Sequence, residues 1–330
     1  MLQLKNSTPF AAEMATFPNE HGIDSLYVIV KGTFEIGEQW SLAVTQAPPQ
    51  MADEYWGEPG ESSIKVLSDI HIGKPSTDIL IQGNACALDQ QLVSQLDVNL
   101  QIGAISKSIR VFGDRHWNNQ RISDALPFQE MPLVYERAFG GTHYVSEQEI
   151  LVEERNPVGC GFAGKRKGAE MNGISLPNLE DINNLISHFS DKPIPACFAP
   201  CSSNWVPRVQ WSGTYDGHWQ TTRAPYLPDD FDKRFLNAAH PDLIYPGYLL
   251  GGEFVMVQGM HPSGEIKFNV PQVKLNCDLT LKNTIVPIDF NLETLTILPN
   301  QKQISMVWLA SFECDKNILN ITNIEVKLSR

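Results

Sequence analysis

The sequence predicts a mainly β protein, an antiparallel β-sandwich or other paired-sheet architecture with long irregular central loops and one or two short helices. Three observations carry this reading. Glycine (23) and proline (22) are spread along the 330 residues, and short β-branched and aromatic runs lie between them. Apolar residues alternate with polar ones at period two, as at Val98, Leu100 and Ile102. Helical stripes are scarce. The length suits one all-β unit over residues 1–330, or two β subdomains of about 1–140 and 141–330.

In chain order, SLYVIVKGTFEI (Ser25 to Ile36) is the first strong strand candidate, and IKVLSDIHIG and DILIQGNACAL follow. LDVNLQIG and KSIRVFGD flank a short turn, and MPLVYERAF continues the pattern. Beyond residue 245, GEFVMVQGM and EIKFNVPQV are separated by HPSG (His261 to Gly264), a hairpin-like turn. VKLNCDLTL, ETLTIL, ISMVWLASFE and NITNIEVKL complete what reads as a run of antiparallel strands. Two helices are expected. NLEDINNLISHF (Asn178 to Phe189) places Leu179, Ile182, Leu185, Ile186 and Phe189 on one face, with Asn178 as N-cap. DFDKRFLNAA (Asp230 to Ala239) pairs Phe231 with Phe235 and is capped by Asp229 or Asp230. Between about 140 and 245 the chain is loop-rich and proline-rich, the kind of segment that carries function on a rigid scaffold.

Composition narrows the function classes. The formal net charge of −13 opposes general nucleic-acid binding and attachment to anionic lipid. No stretch approaches the ~20 apolar residues of a membrane span. The N-terminus shows no basic segment followed by an apolar run, so a cytoplasmic location with reduced thiols is expected for the six cysteines.

Several motifs invite chemistry and read as structure. GCGFAGKR (Gly159 to Arg166) contains a literal GxGxxG, but a basic, glycine-interrupted stretch follows it, a poor helix start for phosphate binding. CFAPC (Cys197 to Cys201) lacks the second ligand pair that structural zinc needs. Asp229, Asp230 and Asp232 can form a carboxylate pair or a helix start, and the second reading is preferred. Trp205, Trp211, Tyr215, Trp219 and Tyr226 can stack on sugars, anchor a partner or pack a core. Arg137, Arg208 and Arg223 can fork onto carboxylates such as Glu136, Asp216 and Asp230, fixing long loops.

A series of segments carries a resemblance. It runs TPFAAEMATF, KGTF, GDRHW, MPLVYERAFGG, NPVGCGF, LPNLE, WVPR, GTYDGHW, LPDDFDKRFLNAA and GGEFV. In this order, over roughly residues 8–270, the chain resembles the family called "domain of unknown function 2169", found with bacterial type VI secretion systems. The resemblance implies a non-catalytic cytoplasmic adaptor or chaperone. Its implied partners are a secreted effector protein and the VgrG or PAAR-tip components of the spike. It implies no catalytic residue, cofactor or metal. Arg137, Trp205, Arg208, Trp211, Tyr215, Asp216, Trp219, Arg223, Asp230, Phe231, Asp232 and Phe235 are the expected ion-pair and partner-binding residues. The rival expectation is a β-sandwich hydrolase or carbohydrate-binding module using the acids Asp229 to Asp232 and the neighbouring aromatics.

Overall fold

The computed structural model describes residues 3–329, whose strands gather into three larger sheets and several two-stranded ribbons. The six-stranded sheet runs Ala11–Pro18, Asp24–Glu35, Gln303–Glu313, Asn291–Leu298 and Asp78–Ile81, with Ser41–Leu42 pairing off Asp24–Glu35. Its centre is where the sequence signal is strongest. Leu26, Val28 and Val30 are buried on one face of Asp24–Glu35, and Tyr27 and Ile29 on the other. A strand covered on both faces reads as a continuous apolar run, as this one does.

The five-stranded sheet has the order Leu179–Asp181, Ile105–Phe112, Gln95–Ile102, Phe254–Gln258, Ile266–Asn269. The four-stranded sheet has the order Leu4–Asn6, Ile321–Leu328, Leu275–Leu281, Thr284–Asp289. One apolar cluster draws on all three sheets, including Val28 and Ile304, Leu100 and Val255, and Leu279 and Val326. Burying each such side chain stabilises the fold by about 1.5–3 kcal/mol relative to leaving it exposed. The expected mainly β class therefore holds. The uniformly antiparallel expectation needs amendment. Asp78–Ile81 lies parallel to Asn291–Leu298, and Leu4–Asn6 parallel to Ile321–Leu328. Both pairs join segments far apart in the chain, Asp78 with Thr294 and Leu4 with Ile324, so no hairpin dictates their direction.

Neither of the two expected helices forms over its expected span. Leu179–Asp181 is a strand on Ile105–Phe112, and an irregular turn follows it. Polar demands override the apolar stripe. Asn178 Nδ2 donates to the Phe112 carbonyl at 3.0 Å and to Asp114 Oδ1 at 3.0 Å, and the buried Glu180 pairs with Arg115. The Ile186 N–H, which a helix would direct at residue 182, donates instead to Glu180 Oε2 at 2.7 Å. Residues 230–239 yield only the 3₁₀ turn Lys233–Leu236. Its cap is Asp232, which accepts from the Arg234 N–H at 2.8 Å, rather than Asp229 or Asp230. The single α-helix among the described residues, Gly217–Thr222, was not anticipated. Asp216 caps it by accepting from the Trp219 N–H at 2.9 Å.

The glycine-rich motif is a chain crossing. Cys160–Gly161 pairs in parallel with Phe139–Gly140, and the buried Asn156 Nδ2 donates to Tyr135 O at 2.8 Å and Phe139 O at 3.0 Å. A Cβ on Gly159 would lie 2.4 Å from Asn156 Nδ2 and 2.6 Å from Ala138 O, so only glycine fits. The CFAPC thiols point into the core. Cys201 Sγ meets the Tyr135 hydroxyl at 2.9 Å, and Cys197 Sγ lies 3.4 Å from Leu133 O.

Candidate partner-binding face

The outer face of the six-stranded sheet positions the candidate site. There Tyr27 and Ile29 form a second apolar cluster with Val307 and Leu309, covered by Leu227, Phe231 and Leu236. The segment from Trp205 to Gly247 crosses this cluster as irregular chain with three short helical turns and the single α-helix. A loop of this length needs fixing at many points, and its polar residues supply the fixings.

Arg223 is the main clamp. Its Nε donates to Leu227 O at 2.9 Å, and its Nη atoms donate to Glu20 O at 2.7 Å and His21 O at 3.3 Å. Its carboxylate partner is Asp229 at 3.1 Å, not Asp230. Asp230 accepts from the Thr214 N–H at 2.9 Å and the Thr214 hydroxyl at 2.7 Å, bonds that hold its carboxyl below the usual range. Asp232 takes Arg234 at 2.5 Å, and that hydrogen bond likewise lowers its pKa. Arg137 reaches Asn178 Oδ1 at 2.9 Å and Asp114 at 3.4 Å. Glu136, its expected partner, is already committed to the Ser63 N–H and hydroxyl at 2.7 and 2.8 Å.

The aromatics divide into two sets. Trp205 is buried and meets the Tyr135 ring edge-on at 5.3 Å, while Phe231 and Phe235 pack at 5.7 Å beneath the loop. Trp205 is core, and Phe231 and Phe235 are half-buried. Tyr215 is exposed and meets Trp219 edge-on at 4.8 Å, and Trp219 Nε1 donates to Tyr226 O at 2.8 Å. Trp211 is half-buried, with the Arg234 guanidinium 3.5 Å over its ring. The surface-reaching set is therefore Trp211, Tyr215, Trp219 and Tyr226.

Beside Trp211 lies an open, largely apolar cleft of about 610 Å³. Four prolines (Pro75, Pro207, Pro241 and Pro246) and Tyr245 line it together with Trp211. Arg208 forms part of it and is 8 % exposed. Its expected carboxylate, Asp216, is occupied in helix capping. Instead Arg208 Nε donates to Phe235 O at 3.0 Å and Nη1 to Cys201 O at 2.5 Å. Burial pushes its pKa down. Sequence reasoning missed the cleft because Pro75 lies more than a hundred residues from its other walls. Only the density of prolines near Tyr245 hinted at it.

The family model described as "Uncharacterized protein conserved in bacteria (DUF2169)" matches residues 21–309. The chain belongs to the DUF2169 family. No curated protein and no solved structure matches the chain. The DUF2169 match spans Asp24–Glu35 of the six-stranded sheet, the loop segment and the cleft, so this face lies within the family's shared region.

Proposed function

We propose that the protein is a non-catalytic adaptor of the bacterial cytoplasm that binds a type VI secretion effector. It would help load that effector onto the VgrG or PAAR-tip spike. The observation that carries this reading is the assignment of the loop's acids. Asp216, Asp229, Asp230 and Asp232 each hold a local donor that fixes the chain. Asp230 and Asp232 have lowered pKa values, the opposite of the upward tuning that a general acid needs near neutrality. What remains for a partner is an apolar, proline-lined surface with aromatic anchors and a charged rim, the composition of a protein-recognition patch.

The test is affinity capture of the tagged protein from cells expressing the secretion system, with bound proteins identified by mass spectrometry. Near-stoichiometric recovery of an effector or spike-tip protein, lost in Trp211→Ala, is the expected result. A clean preparation without any partner would overturn the adaptor reading and make a polysaccharide-hydrolysis screen, with Asp232→Asn as control, the next step.

A further inference from the structure

Arg208 is a buried cation without a counter-charge in contact. Two of its guanidinium nitrogens donate to backbone carbonyls, and among the described residues it pairs with no carboxylate. Nη2 has no acceptor among the described residues, yet it is not sealed from solvent. Arg208 lines the apolar cleft, so a ligand seated there meets this side chain. Leaving a buried charge with unused donors is costly, and a carboxylate delivered through an apolar channel supplies what is missing. The rim cation, Arg234, is already paired with Asp232 and stacked on Trp211. Arg208 is thus the cleft's cation without a contacting carboxylate, with Asp78 and Asp53 acting on it only through space.

Resting on the docking reading above, we propose that the cleft receives an apolar segment of the protein partner that carries one acidic side chain, whose carboxylate accepts a hydrogen bond from Arg208 Nη2. The apolar flanks of that segment pack on Trp211, Tyr245 and the prolines. The charge pair sets register, because a shifted segment would leave both Arg208 and the acid unpaired in an apolar setting.

The isolated 330-residue protein tests this with a small probe, 3-phenylpropionate, against its neutral amide, 3-phenylpropanamide. Binding is followed by the indole N–H NMR signal of Trp211, assigned by its disappearance in Trp211→Phe. The carboxylate is expected to shift that signal saturably, and the amide to bind at least about tenfold more weakly. Arg208→Gln should abolish the difference between the two probes. The comparison of probes on the unaltered protein stands even where that variant fails to fold. Equal binding of acid and amide, or no shift at Trp211 with either, overturns the inference. Partner capture without carboxylate preference removes the cleft inference alone. Carboxylate preference without any captured partner keeps the cleft and removes the adaptor reading.

Discussion

Replacing Glu293 with glutamine should stabilise this protein increasingly as pH rises. Glu293 sits at the register shift of Asn291–Leu298 and is 1 % exposed. Its Oε2 has no hydrogen-bond partner, and the nearest cationic candidate, His71 Nδ1, is 3.5 Å away. That nitrogen accepts from the Gly73 N–H at 3.2 Å, and burial holds His71 well below its usual pKa, so the ring is neutral. Burial pushes the Glu293 carboxyl up to about 8, with Asp78 adding to it and Lys74 and Lys233 opposing. The native state therefore keeps a proton that the unfolded chain releases at the ordinary glutamate value, about 4.3. Between those values the native state binds more protons, so stability falls as pH rises, by at most ~1.4 kcal/mol per pH unit. From about pH 6 to about pH 8 the loss is about 2 kcal/mol, allowing for the taper near the folded value. Glutamine keeps the shape and cannot titrate. Urea unfolding of both proteins across that range should show the variant's advantage growing by that amount, with other titrating groups cancelling in the difference. A constant difference between the two curves would refute the reasoning.

Other perturbations test the remaining fixings. Lys74→Met leaves Asp78 buried without its ion pair of 2.8 Å and should cost about 3–5 kcal/mol in denaturant unfolding; a loss under ~1 kcal/mol would show that the pair is immaterial. Gly159→Ala drives a Cβ into Asn156 and Ala138 and should cost about 1–3 kcal/mol, read as a lower melting temperature. Arg223→Ala removes hydrogen bonds to Leu227, Glu20 and His21; amide exchange should speed up across residues 213–227 while global stability falls by only about 1 kcal/mol. Uniformly unchanged exchange there would mean that the loop is held by packing alone.

The sheets were legible because their signals are local. Val98, Leu100 and Ile102 face one core, and the HPSG turn closes its hairpin through a Gly264 N–H to His261 O bond of 2.9 Å. The parallel pairings were not legible, because Asp78–Ile81 gives no local sign that its neighbour lies at residue 294. The Asn178–Phe189 stripe misled for a related reason. Its period is helical, yet Glu180 is drawn to Arg115, and no pattern within twelve residues reveals a partner 65 positions away. At the candidate site the residue types were readable and their pairings were not. Arg223 and Asp232 were marked, but which acid each arginine takes depends on loop geometry that the sequence does not encode locally.

The outer face of the six-stranded sheet explains how so irregular a surface can be held rigid, as the proposed docking requires. Half of that face is apolar, with Tyr27, Ile29, Val307 and Leu309 held under residues 227–236. The other half is polar. There Lys31 pairs with Asp69 at 2.8 Å, both buried, and the same carboxylate oxygen accepts from the Gln50 N–H at 2.7 Å. Each half thus ties a different loop to the same sheet, one by area and the other by directional bonds. Area alone tolerates sliding, whereas a buried ion pair penalises any register but one. The loops on this face therefore gain a fixed register without regular secondary structure. A surface ordered before contact loses less conformational entropy on binding than one that orders on contact, and that difference adds directly to affinity. By the same reasoning, replacing Arg223, which does not line the cleft, should weaken capture through disorder of the loop rather than through a lost contact in the cleft.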